Sequence, residues 1–118
     1  MTSSPAKTTS TVDLGPVDQI PVGEGRVFMV GRIPVAIFRD RDDNLFATQS
    51  LCPHKGGPLA DGITGDGQLQ CPLHSFKFEL TTGNPIGNDC KSLKTYAVDV
   101  NGENNIEITI ERPRRNVT

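Results

Sequence analysis

CPHKGGP, residues 52–58, and CPLHSF, residues 71–76, each set a cysteine and a histidine within three residues of one another, with proline stiffening the gap. Joined, they read Cys52-x-His54, sixteen intervening residues, then Cys71-x-x-His74. These are both of the chain's histidines and two of its three cysteines. Two histidines independently packed in a core have no reason to fall beside a cysteine each time, so the four side chains are read as one ligand set.

Two chemistries accept two thiolates and two imidazoles. A structural zinc site closes tetrahedrally on such a set, ordinarily from pairs of like ligands, as in C-x-x-C followed by a histidine pair. Here each pair is mixed. That pattern suits two loops that each give a cysteine to one iron and a histidine to the other of a [2Fe-2S] centre.

Outward from the motifs the pattern changes. RVFMV (Arg26 to Val30) and IPVAIFR (Ile33 to Arg39) are separated by Gly31 and Arg32 alone, which predicts a β-hairpin with a two-residue turn. LFATQ from Leu45 follows the charged turn RDRDDN as a further strand. TYAVDV puts Tyr96, Val98 and Val100 on one face, and IEITIE alternates Ile106, Ile108 and Ile110 with Glu107, Thr109 and Glu111. NGENN between them is a second hairpin signal. No segment holds a 3.6-residue period, so the chain reads as all-β. Residues 51–88, rich in turn-formers and poor in alternation, read as a ligand-bearing insert between sheet-forming ends.

At 118 residues the chain carries one domain and one modest core. Residues 1–10 and 113–118, polar at one end and basic at the other, are assigned to tails around a single domain over 11–112. A net charge of -2 argues against nucleic acid or an anionic membrane as partner. No run approaches the roughly 20 apolar residues of a membrane span, and MTSSPAKTTS lacks the apolar stretch of a secretory signal. The expected compartment is the cytoplasm, where three cysteines serve as ligands or thiols in preference to disulfides.

With CPH and CPLH in place, the chain resembles the Rieske ferredoxin-type proteins over its whole folded region. The resemblance implies three antiparallel sheets with a cluster-binding subdomain inserted at one end, and one [2Fe-2S] cluster held by Cys52, His54, Cys71 and His74. Neutral imidazoles in place of two thiolates make reduction easier, within roughly -150 to +300 mV against about -400 mV for all-thiolate plant-type centres. High-potential members in respiratory complexes carry Ser and Tyr two and four residues after the last histidine, where this chain has Phe76 and Phe78. They also pin the two loops by a disulfide at positions that here are Gly57 and Leu73. Both departures imply a low-potential centre.

Gly56 and Gly57 are expected to let backbone N–H groups approach the cluster sulfurs. GNPIGN, residues 83–88, resembles the proline-containing third loop that shields the cluster in this family. Cys90 is the odd thiol, read as uncoordinated, and the arginines of RPRRNVT are read as a solvated tail.

No nucleophile–base pair and no nucleotide-binding glycine motif accompanies the ligand set. The chain is therefore read as an electron carrier or subunit, not catalytic on its own. IPVAIFR, CPHKGGPLADG, CPLHSFKFELTTG and CKSLKTYAVDV resemble the small subunit of assimilatory NAD(P)H-dependent nitrite reductase. That resemblance implies a large flavin- and sirohaem-bearing partner that reduces nitrite to ammonium in nitrate assimilation. The alternative is the ferredoxin component of an aromatic-ring-hydroxylating dioxygenase system, whose partners are a flavin reductase and a Rieske oxygenase.

Overall fold

The computed structural model describes residues 7–53, 56–72 and 76–113. Among the described residues ten strands follow one another: β1 (Lys7–Pro16), β2 (Glu24–Val30), β3 (Ile33–Arg39), β4 (Leu45–Gln49), β5 (Ile63–Gly65), β6 (Gln68–Gln70), β7 (Lys77–Glu79), β8 (Pro85–Ile86), β9 (Thr95–Val100) and β10 (Asn105–Pro113). Two single 3₁₀ turns, Val17–Gln19 and Leu59–Asp61, complete the elements. No helix among the described residues is long and apolar enough to cross a membrane.

The ladders are antiparallel throughout, in a six-stranded sheet of order β1-β10-β9-β4-β3-β2 and a four-stranded sheet of order β5-β6-β7-β8. The three expected antiparallel sheets are β1-β10-β9, β9-β4-β3-β2 and β5-β6-β7-β8, the first two joined because β9 divides its length between partners. Thr95 and Tyr96 face Thr48 and Ala47 of β4, whereas Ala97 to Val100 face Thr109 to Ile106 of β10. One strand thereby welds what would be two base sheets into a continuous ladder.

Both hairpins expected from sequence form as read. Val30 pairs with Ile33 across Gly31, whose φ of 64° a side chain would resist. Asn104, at φ 63°, turns the β9–β10 connection, and the Asn101 N–H closes it on the Asn105 carbonyl at 2.9 Å. β1 is the surprise. It begins at Lys7, inside the stretch assigned to a tail, and pairs from Lys7↔Pro113 to Asp13↔Glu107. A polar segment needs no buried face to join a sheet edge, because the ladder satisfies its backbone groups.

β3 is buried on both faces. Val35 and Ile37 join Val17, Ile20, Val30, Ala47 and the three isoleucines of β10 in the base core. Ala36 and Phe38 point the other way, into a second core with Leu59, Leu69, Phe78, Leu80 and Leu93. Phe38 reaches that position because Gly25 lies opposite it on β2: a Cβ there would stand 2.6 Å from the Phe38 ring. Full burial of a residue such as Phe38 contributes about 1.5–3 kcal/mol, so the second core anchors the inserted sheet to the base firmly.

Candidate metal centre

The first motif lies in a loop held at its neck. After β4, the Ser50 carbonyl accepts the Leu59 N–H at 2.9 Å, and Leu51 bridges Pro58 in antiparallel fashion. Inside that neck the Cys52 N–H donates to the Gly57 carbonyl at 2.8 Å, and the Gly56 N–H donates to the Cys52 carbonyl at 2.8 Å. Gly56 reaches this geometry at φ 71°, with nothing within 4 Å of where a Cβ would stand, so glycine is required there by backbone conformation and not by crowding.

The second motif occupies the β6–β7 hairpin, whose last pair is Gln70↔Lys77. There the Cys71 N–H donates to the Phe76 carbonyl at 2.7 Å. The two loops are thus one device used twice: a cysteine amide closes on the carbonyl five residues ahead. His54 and His74 fall between those closing bonds in sequence and, with Lys55, Leu73 and Ser75, lie outside the described residues.

Cys52 and Cys71 are 3% and 1% exposed, and both belong to the second core. The described residues therefore bring together the cysteine half of the ligand set. Two buried thiols in an apolar core fit a soft-metal or iron–sulfur centre, and the closed necks fit loops that carry further ligands. The Gly56 N–H is engaged with the Cys52 carbonyl and helps to close the loop.

Phe78 is fully buried and stands between Leu69 and Pro85 in the ladder. Phe76 is half-buried against the same core. The third loop contributes more than its sequence reading anticipated: part of it is β8, paired to β7, and its continuation lines a cavity of about 520 Å³ with Pro53, Phe76, Asn88, Asp89 and Cys90. Cys90 packs against the second core. Burial pushes its thiol above the ordinary range, and the neighbouring Cys52 and Asp89 add to the effect, so it stays protonated at neutral pH. The sequence reading ended the third loop at Asn88. The odd cysteine two residues further on was the available signal that the wall continues.

A family model described as the Rieske [2Fe-2S] domain matches residues 10–97. The anthranilate 1,2-dioxygenase ferredoxin subunit of Burkholderia cepacia is 38% identical over 72 residues, which span 61% of this chain and 66% of that one. The ferredoxin component of the naphthalene 1,2-dioxygenase/salicylate 5-hydroxylase systems of Ralstonia sp. is 29% identical over 94 residues, 79% of this chain and 89% of that one. Among solved structures, a protein assigned as an NADH-dependent nitrite reductase small subunit from Mycobacterium tuberculosis superposes with a TM-score of 0.80 at 23% identity, covering 87% of this chain and 96% of that one.

Proposed function

The chain belongs to the Rieske [2Fe-2S] domain family, and on that premise we infer that Cys52 and Cys71 ligate one iron of the cluster and His54 and His74 the other, in a low-potential one-electron carrier. The observation that carries this reading is the pair of identically closed loops whose cysteines share one buried core. When bound, the cluster supplies the one-electron couple. The chain's own residues do the rest. The second core keeps water from the cysteine side, and Phe76 and Phe78 offer no hydroxyl to a sulfur.

The partner we favour is an oxygenase system, with this chain as the ferredoxin between a flavin reductase and a Rieske oxygenase. Support comes from the Ralstonia ferredoxin component, aligned over 89% of its own length. The nitrite reductase reading, with a flavin- and sirohaem-bearing large subunit, stands second. It is supported by CKSLKTYAVDV, residues 90–100, and by the fold-level likeness at a TM-score of 0.80. On either reading we place the chain in the cytoplasm, where alone it turns over no substrate.

Absorption and low-temperature EPR spectra before and after dithionite, with iron, sulfide and zinc analysis, test the cluster. Two irons and a rhombic signal of low average g are expected, and His54→Ser or His74→Ser should abolish that signal. One zinc and no signal after anaerobic reconstitution would refute the assignment. The partner is tested by mixing the reduced protein with each candidate acceptor in a stopped-flow spectrometer. Rapid reoxidation by an oxygenase component, but not by a sirohaem subunit, is expected.

A further inference from the structure

Asn88 sits where the chain leaves β8. Gly87, at φ 70°, reverses the backbone and returns the Asn88 side chain toward the strand pair it has just left. Its Nδ2 donates to the Lys77 carbonyl at 3.1 Å and to the Ile86 carbonyl at 3.2 Å, and its Oδ1 accepts the Cys90 N–H at 2.9 Å. Lys77 and Ile86 are themselves ladder partners, so the side-chain amide extends a ladder whose backbone stops after two residues. Lys77 also follows Phe76, whose carbonyl closes the loop of Cys71. One side chain therefore ties three places together: the foot of the second ligand loop, the end of β8, and the segment bearing Asp89 and Cys90.

That segment forms one wall of the cavity whose other lining residues include Pro53, next to Cys52, and Phe76. We propose that Asn88 is a positioning residue for the cluster. Its amide latches the Asp89–Cys90 segment across to the second ligand loop and thereby limits the water that reaches the site. The proposal rests on the electron-carrier reading above. Reduction adds a negative charge, which water stabilises, so an opened wall raises the potential.

The test uses the purified cluster-bearing protein and two variants. Asn88→Ala removes all three hydrogen bonds. Asn88→Ser retains a hydroxyl able to accept the Cys90 N–H in a local turn, but is too short to reach the Lys77 carbonyl. With Cys52 and Cys71 engaged as ligands, Cys90 is the remaining thiol, and its alkylation by iodoacetamide reports opening of the wall. Both variants are expected to label about 10-fold faster or more, as the loss of even one or two hydrogen bonds implies, and to show a higher reduction potential.

A lowered melting temperature with unchanged labelling and potential would make Asn88 merely structural and overturn the proposal. So would wild-type behaviour of Asn88→Ser, which would leave only the local turn, or faster labelling with no change in potential, which would sever the link to the cluster. Should Asn88→Ala fail to fold, Asn88→Ser carries the test. A wild-type protein without the Rieske spectrum refutes the carrier reading instead, and peptide mapping that resolves alkylation at Cys90 from alkylation at Cys52 and Cys71 then reports on the latch.

Discussion

Replacing Gly83 by alanine tests how the third loop is closed. The Gly83 N–H donates to the Glu79 carbonyl and the Gly83 carbonyl accepts the Leu93 N–H, both at 2.7 Å, so residues 84–92 leave and rejoin the fold at one point. Gly83 holds φ at 80°, and a Cβ there would run into the Leu93 carbonyl oxygen, with the Leu93 Cβ 3.2 Å away. The left-handed conformation costs a side chain about 1–2 kcal/mol. Relief of the overlap must move backbone, which adds about 1–3 kcal/mol of overpacking and endangers a closing bond of about 1 kcal/mol.

About 3–6 kcal/mol is therefore expected for Gly83→Ala. Gly87→Ala is the control, for Gly87 has φ 70° and nothing within 4 Å of its missing Cβ, so only the conformational cost of about 1–2 kcal/mol applies. Thermal unfolding followed at once by far-UV circular dichroism and by cluster absorbance compares them. At about 4 °C per kcal/mol for a chain of this size, Gly83→Ala should melt about 8–16 °C below Gly87→Ala. Equal melting of the two variants would show that the overlap with Leu93 is relieved freely and would refute the closure argument.

Phe78→Tyr adds a hydroxyl to the core that holds Cys52 and Cys71; the reduction potential in film voltammetry should rise, and an unchanged potential in the folded variant would count against a role for missing hydroxyls. Tyr96 is the chain's single tyrosine, and burial raises its pKa, so its ultraviolet titration should fall above the ordinary value of about 10. The raised value stabilises the fold fully below about pH 10, a contribution lost as pH rises through the native value. Asp13 is shifted the other way, first by the Gly15 N–H at 2.8 Å and then by the side-chain amides of Asn105 and Asn101. Its contribution is present above about pH 4 and lost as pH falls through the lowered native value, so Asp13→Asn should flatten the acid limb of a stability–pH curve, and an unaltered limb would refute the assignment.

The base strands were legible because each has a wet face and a dry one: Ile106, Ile108 and Ile110 alternate with polar residues, and the structure buries all three. The four strands of the insert were not legible. They are two or three residues long, and β6 and β7 each bury a single side chain, Leu69 or Phe78, so no period can form. β1 escaped notice for a different reason, since its pairing with β10 spans about a hundred residues and is carried by backbone groups that every sequence possesses.

The candidate site divides in the same way. Cys52 and Cys71 announce themselves by residue type and by their histidine neighbours, whereas Asn88 and Gly83 act on Lys77 and Leu93, partners that only the folded chain brings within reach.

The two-faced burial of β3 has a consequence for anyone wishing to transplant the ligand loops. Cutting out the insert would take Leu59, Leu69 and Phe78 but leave behind Ala36 and Phe38, the floor on which they rest. A portable unit has to bring β3, and β3 cannot be lifted without exposing Val35 and Ile37 on its reverse. The module that can be moved between proteins is therefore the whole domain, and natural or designed fusions should join at its ends instead of at the boundaries of the insert.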